Sequence, residues 1–479
     1  MKNKTYAPGP KSRLPVGFLW AFYHDPLRVS KRLTRRYGDI VHVRIGPRQY
    51  FLLNHPDYIR QVLTGETMFR SFPFATKYLL GNGLLTSQGE LHRRQRHLLN
   101  PFFHRDSIST LNSMITECAE ITTNGWINRS TVDVSKEMLR LTFAVIVKTL
   151  FGRAIEESLD EFLKDFNFVV KLTERSRIPF MDHLLIRLPL RSNIRFKQAI
   201  QNLNVKIRDL IHERKSQGFK GDDVLSMLLK AQHASDGTQQ LSDQQIHDEM
   251  MTLLLAGHET ISNALTWMWY LLSQHGQVEA RLHEELESVL GGRNPTTADL
   301  PHLQYGRMVF LETMRLYPPV WVVTRRPTED IEIGGYHVPA WSSLNMCPFL
   351  MHRDSRYFPD PERFDPQRWL PEEVVRRPRF SYFPFGGGPH QCIGEGLAMT
   401  EGLLITATIA QKWRLRLVEN HPVEVEPLIT LRPKYGMKMH LERRAPRHEV
   451  PFEGQQPTSQ SYPERPGACL LGTGRPARA

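Results

Sequence analysis

The stretch Phe383-Pro384-Phe385-Gly386-Gly387-Gly388-Pro389-His390-Gln391-Cys392-Ile393-Gly394, FPFGGGPHQCIG, decides the fold. A lone cysteine stands between a run of glycines and an apolar segment, Leu397 to Ile409, with helical spacing. Gly386, Gly387 and Gly388 remove side chains, which lets the backbone approach something flat and bulky. Cys392 then sits at a helix N-terminus, where free N–H groups and the positive end of the dipole favour a thiolate. Taken alone, a free cysteine reads as a buried, inert structural thiol. Its surroundings argue for a ligand.

The whole chain narrows what that ligand could serve. At 479 residues with 40% hydrophobic content it can bury a substantial core. The four cysteines, Cys118, Cys347, Cys392 and Cys469, form no CxxC and lie far apart, so neither a disulfide framework nor a zinc ribbon is indicated. A reducing, cytoplasmic setting is expected. The longest apolar run near the N-terminus, Val16 to Tyr23, is far shorter than the ~20 residues of a membrane span, and no signal cleavage site follows it. A soluble chain without a transmembrane anchor is therefore expected. The net charge of +12 favours acidic partners or anionic surfaces.

Most of the chain has a helical pattern. Ser242 to Gln274 is the strongest helix, with a capping box at Ser242 and Gln245 and a stop at Gly276. Its length should carry it across the whole domain. Tyr37 to Pro56 reads as a hairpin about Gly46-Pro47, and Ile331 to Val338 as another about Gly334-Gly335. Met437, Met439 and Leu441 alternate as a strand. Residues 445–479 are dense in Pro and Gly and read as a disordered tail, which leaves 1–444 as the domain.

A thiolate with backbone donors around its sulfur is a good axial ligand for haem iron. Phe385, Gly388, His390, Cys392 and Gly394 match F-x-x-G-x-[RH]-x-C-x-G, and here the chain resembles the cytochrome P-450 family. Glu312-Thr313-Met314-Arg315 resembles the family's E-x-x-R, and Pro361-Glu362-Arg363-Phe364 its later P-E-R-F. Ala256-Gly257-His258-Glu259-Thr260 resembles its oxygen-activating A-G-x-[DE]-T. The resemblance covers about residues 8 to 444. It implies a mainly α fold with small β-sheets, and haem b held between the long central helix and the cysteine-ligand helix.

The resemblance also assigns roles. Glu312, Arg315 and Arg363 become a buried triad bracing the cysteine loop. His92, Arg96, Arg325 and His390 become the cations facing the haem propionates; many members have Trp where His92 stands and Arg where His390 stands. Ala256, Gly257, Phe385 and Gly394 line the cofactor, with Cys392 as the iron ligand. Gly257 and Thr260 are costly or bending choices inside a helix, which the resemblance reads as room for dioxygen. Glu259 and Thr260 relay protons there. Ile261 stands where many members have Thr or Ser, which thins the hydroxyl network.

These assignments imply a soluble, bacterial-type haem–thiolate monooxygenase, a monomer acting by hydroxylation or epoxidation. Pocket walls should come from Phe72 to Leu85, Phe168 to Leu190 and Val320 to Val323. Their apolar character suits a hydrophobic small molecule such as a fatty acid, terpenoid or polyketide. No flavin or nicotinamide fingerprint occurs, so electrons from NAD(P)H should arrive through a separate ferredoxin or flavodoxin and its reductase. Arg93 and Arg94 are the expected docking residues; no nucleic acid is expected as partner. Two other classes stay open: a peroxide-using or isomerising haem–thiolate enzyme, and a non-catalytic haem sensor. An intact Glu259-Thr260 argues against both.

Overall fold

The computed structural model describes residues 5–10, 16–70, 72, 74–127, 129–152, 159–175, 190–234 and 241–444. The tail expected at 445–479 lies outside them. Helices form most of the described chain, arranged around one of them, Asp243–Gln274. It starts where the sequence places it. The Ser242 hydroxyl accepts from the Gln245 N–H at 3.1 Å, and the Gln245 side chain accepts from the Ser242 N–H at 2.9 Å. Those bonds satisfy two of the N–H groups that a helix start leaves orphaned. Gly276 does not act as the stop. His275 caps the helix and Gly276 opens the next one, Gly276–Leu290.

At 32 residues the central helix is about 48 Å long, enough to cross the molecule. Leu254, Leu265, Trp267, Met268 and Leu272 are all buried, because other elements pack on nearly every side. Helix Val134–Phe151 runs along one side, while helices Gln304–Leu316 and Glu395–Lys412 approach another. Trp267 stacks on Tyr317 with centroids 4.1 Å apart, and its indole N–H donates to the Leu431 carbonyl at 2.9 Å.

The sheets are small and lie at the edges of this bundle. The largest runs Ile40–Ile45, Arg48–Leu53, Ser343–Met346, Val323–Pro327, Met68–Arg70 in spatial order. Arg48–Leu53 pairs parallel with Ser343–Met346, and the other three pairings in this sheet are antiparallel. Both expected hairpins are present, Ile40–Ile45 with Arg48–Leu53 and Ile331–Ile333 with Tyr336–Val338. The alternating segment near the end forms strand Lys438–Arg443, which lies between Thr131–Asp133 and Trp413–Leu417. The antiparallel pairing of Met68–Arg70 with Val323–Pro327 sets Arg70 directly opposite Arg325.

Candidate functional site

Cys392 lies just before helix Glu395–Lys412, whose N-cap is Gly394. Its N–H donates to the Phe385 carbonyl at 3.0 Å, which folds the loop back on itself. Two of the glycines before it have a cause within the protein itself. A side chain on Gly388 would strike the Leu63 carbonyl, and one on Gly387 would strike the Phe380 ring. Gly386 and Gly388 have φ of 72° and 69°, a region that other residues rarely adopt. Gly387 and Gly388 therefore seat the loop against Phe380 and helix Pro56–Thr64, while the side-chain position of Gly386 meets no protein atom.

The Cys392 side chain is accessible, yet protein encloses it, and that enclosure pushes its thiol pKa up. The Gly394 N–H, Arg96 and Arg70 pull it back down, while Glu395 adds to the rise. The helix start does favour the thiolate, but burial outweighs it in the protein alone.

Around this thiol the fold gathers cations. Helix Gly89–Leu99 presents His92 and Arg96 one turn apart. The Arg96 guanidinium donates to the Gln391 carbonyl at 2.6 Å. His390 Nδ1 lies 3.0 Å from His92 Nε2 and 3.5 Å from Arg70 Nη1. Arg325 is buried, and its neighbour Arg326 interacts with Arg48 and Tyr50 instead. Burial first, then mutual repulsion, pushes His92 down to about 4, His390 to about 3 and Arg70 to about 9; burial alone lowers Arg325 to about 10. Both imidazoles are thus neutral at pH 7 in the protein alone.

No carboxylate lies within ion-pair distance of these groups among the described residues, and Arg70 Nε is buried without an acceptor. Like charges set directly across a sheet are destabilising. A cluster built this way fits a bound dianion. Arg70 was not among the residues expected from sequence, because only the pairing of two strands far apart in the chain brings it to Arg325.

On the central helix, Thr260 Oγ1 donates to the Ala256 carbonyl at 2.8 Å, as its position suggests. Ala256 is exposed on a helix most of whose residues are buried, and Leu255, Gly257 and Thr260 beside it are half-buried. Gly257 is expected to line the cofactor, but its vacant side-chain position faces Ile146, whose Cδ1 would lie 2.6 Å away. Helix Val134–Phe151 packs close at this point, and the central helix stays continuous through it. Glu259 is buried. Its carboxylate accepts from the Thr430 hydroxyl at 2.7 Å, and Thr430 accepts from Asn263 at 3.0 Å. Burial raises its pKa against the opposing pull of Thr430 and Arg432.

The expected triad is corrected in one member. Arg315 grips Glu312 with two bonds of 2.8 Å, and both side chains are fully buried. Arg363, however, is exposed and contributes only its carbonyl, which accepts from Arg315 at 3.0 Å. The second cation on Glu312 is Arg368, at 3.4 Å, with the Trp369 indole donating at 3.0 Å. Arg315 also donates to the His352 carbonyl, and the His352 ring accepts from the Phe383 N–H at 3.0 Å. The cluster therefore braces the start of the cysteine loop. Glu312→Ala should cost about 3–5 kcal/mol, since it strands a buried cation. Arg368→Ala should cost about 1.5–3 kcal/mol, whereas Arg363→Ala should stay within about 0.5 kcal/mol. Urea unfolding of the three variants measures the order.

Of the expected pocket walls, the segment Phe72 to Leu85 meets the central helix at Asn82 and Leu84. The Asn82 N–H donates to Asp248 at 2.8 Å and the Leu84 N–H to Glu249 at 2.9 Å. Val320, Val322 and Val323 are half-buried. Much of the expected roof, residues 176–189, lies outside the described residues.

A family model described as Cytochrome P450 matches residues 8–439. Cyclooctatin synthase of Streptomyces melanosporofaciens is 42% identical over 434 residues, 89% of this chain and 93% of the relative. Cyclooctat-9-en-7-ol 5-monooxygenase of the same organism is 37% identical, with 86% and 90% covered. Pentalenene oxygenase of Streptomyces avermitilis is 32% identical, with 93% and 100% covered. Among solved structures, retinoic acid bound cyanobacterial CYP120A1 matches with a TM-score of 0.83 at 25% identity, with 92% of this chain and 100% of that one covered.

Proposed function

The chain belongs to the cytochrome P450 family as a monooxygenase that inserts one oxygen atom of O2 into a hydrophobic small molecule, and we propose that its substrate is a terpenoid, an unsaturated cyclic hydrocarbon or its alcohol. The gathering of Arg70, Arg96 and Arg325, with no carboxylate counter-charge among the described residues, beside an accessible thiol carries our reading of the site. Haem b brings two propionates and an iron, and this cluster offers partners for both. Cys392 would ligate the iron, and His92, Arg96, Arg325 and His390, joined by Arg70, would hold the propionates. Ala256, Phe385 and Gly394 would lie against the ring.

Bound there, haem supplies the activation of dioxygen. The chain supplies the rest. The loop bond from Cys392 to Phe385 and the Gly394 N–H hold the sulfur in place. Thr260 donates to Ala256, so its hydroxyl oxygen remains open to accept a further hydrogen bond. Glu259, kept above the ordinary carboxyl range by burial, is the proton store beside it. The names of the relatives, built on pentalenene and cyclooctat-9-en-7-ol, favour the terpenoid among the substrate classes open to an apolar pocket.

Titration of the ferric protein tests the substrate. Cyclic terpene hydrocarbons and alcohols should give a saturable Soret shift that fatty acids of similar size do not. A shift with fatty acids alone removes the terpenoid reading.

Electrons from NAD(P)H would come through a separate ferredoxin or flavodoxin to a cytoplasmic, monomeric enzyme. Arg93, exposed on helix Gly89–Leu99 and paired with Glu90, and Arg94 beside it would steer that partner. Arg93→Glu with Arg94→Glu should slow reduction by an acidic ferredoxin and flatten its salt dependence, because rim charges act mainly on association. Stopped-flow reduction at low ionic strength measures it. Unchanged rates would move the docking face elsewhere.

A further inference from the structure

Helix Val16–His24, VGFLWAFYH, leaves Trp20 67% exposed and Tyr23 47% exposed. A single residue, Asp25, joins it to helix Pro26–Tyr37. The second helix is sharply two-faced. Pro26, Leu27 and Ser30 are buried, while Arg28, Lys31, Arg32, Arg35 and Arg36 are all exposed. Those cations recur at i, i+3, i+4, i+7 and i+8, which puts them on one face as a continuous basic stripe. Arg28 pairs with Asp25, and Lys31 with Glu362. Arg32, Arg35 and Arg36 have no carboxylate partner among the described residues.

We propose that this N-terminal helix pair is a docking surface for an anionic lipid bilayer. Two independent observations point to that occupant. The basic stripe complements anionic headgroups, where each cation near the surface is worth about a fivefold gain in partition. The exposed indole and phenol are the side chains that settle at the boundary between headgroups and acyl chains. An acidic protein or a nucleic acid could engage the same cations and rings, and a wild type that ignores anionic vesicles is the outcome that assigns the face to one of them. A nine-residue helix is too short to span, and no described helix is long and apolar enough to cross a membrane. The pair therefore lies along the surface. This holds the enzyme where an apolar substrate and its product partition, and it is independent of how the haem site is assigned.

Co-sedimentation of the full-length haem-loaded protein with vesicles tests it. The protein should pellet with phosphatidylcholine vesicles containing phosphatidylglycerol, pellet little with phosphatidylcholine alone, and be released by salt. Arg32→Glu, Arg35→Glu and Arg36→Glu together should lower partition about a hundredfold or more. Trp20→Ser with Tyr23→Ser should weaken binding to the same vesicles while keeping its salt dependence. The reduced CO-bound spectrum of each variant reports that its fold is intact. A wild type that ignores anionic vesicles, or charge-reversed protein that pellets as well as wild type, overturns the proposal. So does a mass change in sedimentation velocity showing that the face pairs two copies of the chain and is closed to lipid.

Discussion

Cys392→Ala should abolish the red-shifted Soret band of the dithionite-reduced, CO-bound protein, while Cys118, Cys347 and Cys469 substitutions leave it intact. The band reports thiolate ligation, so its loss separates the ligand from every other thiol in the chain. The environments of the cysteines make the outcome sharp. Cys118 is buried in the core. Cys347 is buried with its Sγ donating to the Trp321 carbonyl at 3.0 Å, and burial pushes its pKa up to about 12. Buried, with its sulfur committed to a carbonyl, Cys347 presents no thiol to a cofactor. Cys392 alone among the described cysteines is accessible. Burial raises its pKa too, but Arg96, Arg70 and the Gly394 N–H all favour its ionised form, and a bound cation would complete that work. A Cys392→Ala protein that keeps the band, with any other cysteine variant losing it, would refute the assignment.

What the sequence reveals about this site follows the range of the interactions involved. Cys392, Gly394 and the helix after them are legible because each part of the argument lies within a few residues: a turn, a cap and an apolar repeat. The start of the central helix is legible for the same reason, since a capping box spans only Ser242 to Gln245. Both hairpins announce themselves through their turns. Gly276 shows the limit of local reading, because a glycine after a helix fits a stop and a new start equally well.

Pairings distant in sequence were hidden or misplaced. Two similar tetrads, Pro361-Glu362-Arg363-Phe364 and Pro366-Gln367-Arg368-Trp369, stand close together. Only the local turn decides which arginine reaches Glu312. Asp365 caps the short helix Pro366–Trp369 by accepting from the Gln367 N–H, and that turn carries Arg368 and Trp369 inward while Arg363 stays outside. Arg70 has no motif around it; strand pairing alone sets it against Arg325. The Thr430 partner of Glu259 lies on the far side of the haem motif in sequence. Gly257 fits an oxygen-binding motif, yet its vacant side-chain position faces Ile146 on another helix. In each case the deciding contact is between elements, where composition and periodicity carry no information.

Thr260→Ala should keep cysteine ligation and substrate binding, yet divert most electrons from product to hydrogen peroxide. Inserting one oxygen atom of O2 and releasing the other as water consumes two electrons and two protons. The same two electrons and two protons, delivered without cleavage of the O–O bond, leave as hydrogen peroxide. Which outcome prevails depends on proton delivery. A positioned proton donor is worth ~10²–10⁴ in rate. In our reading Thr260 serves that delivery with the hydroxyl oxygen that its bond to the Ala256 carbonyl leaves open to accept, and burial raises the pKa of Glu259, the next residue on the helix. The substitution does not threaten the helix, since alanine is the better helix former and the lost bond is a local one back to the preceding turn. NAD(P)H consumption through the redox partner should therefore persist while product per NAD(P)H falls by tenfold or more, within the scale of a lost proton donor. An externally supplied peroxide or peracid should recover part of the activity in the variant, because such an oxidant arrives already reduced and needs less proton delivery. Thr430→Val should show a milder form of the same uncoupling, since it removes the hydroxyl that donates to Glu259 while leaving Thr260 intact. A Thr260→Ala enzyme with wild-type product yield per NAD(P)H would remove Thr260 from the relay. A wild type that turns over only with added peroxide, and never with an electron donor, would make the chain a peroxide-using member of its family.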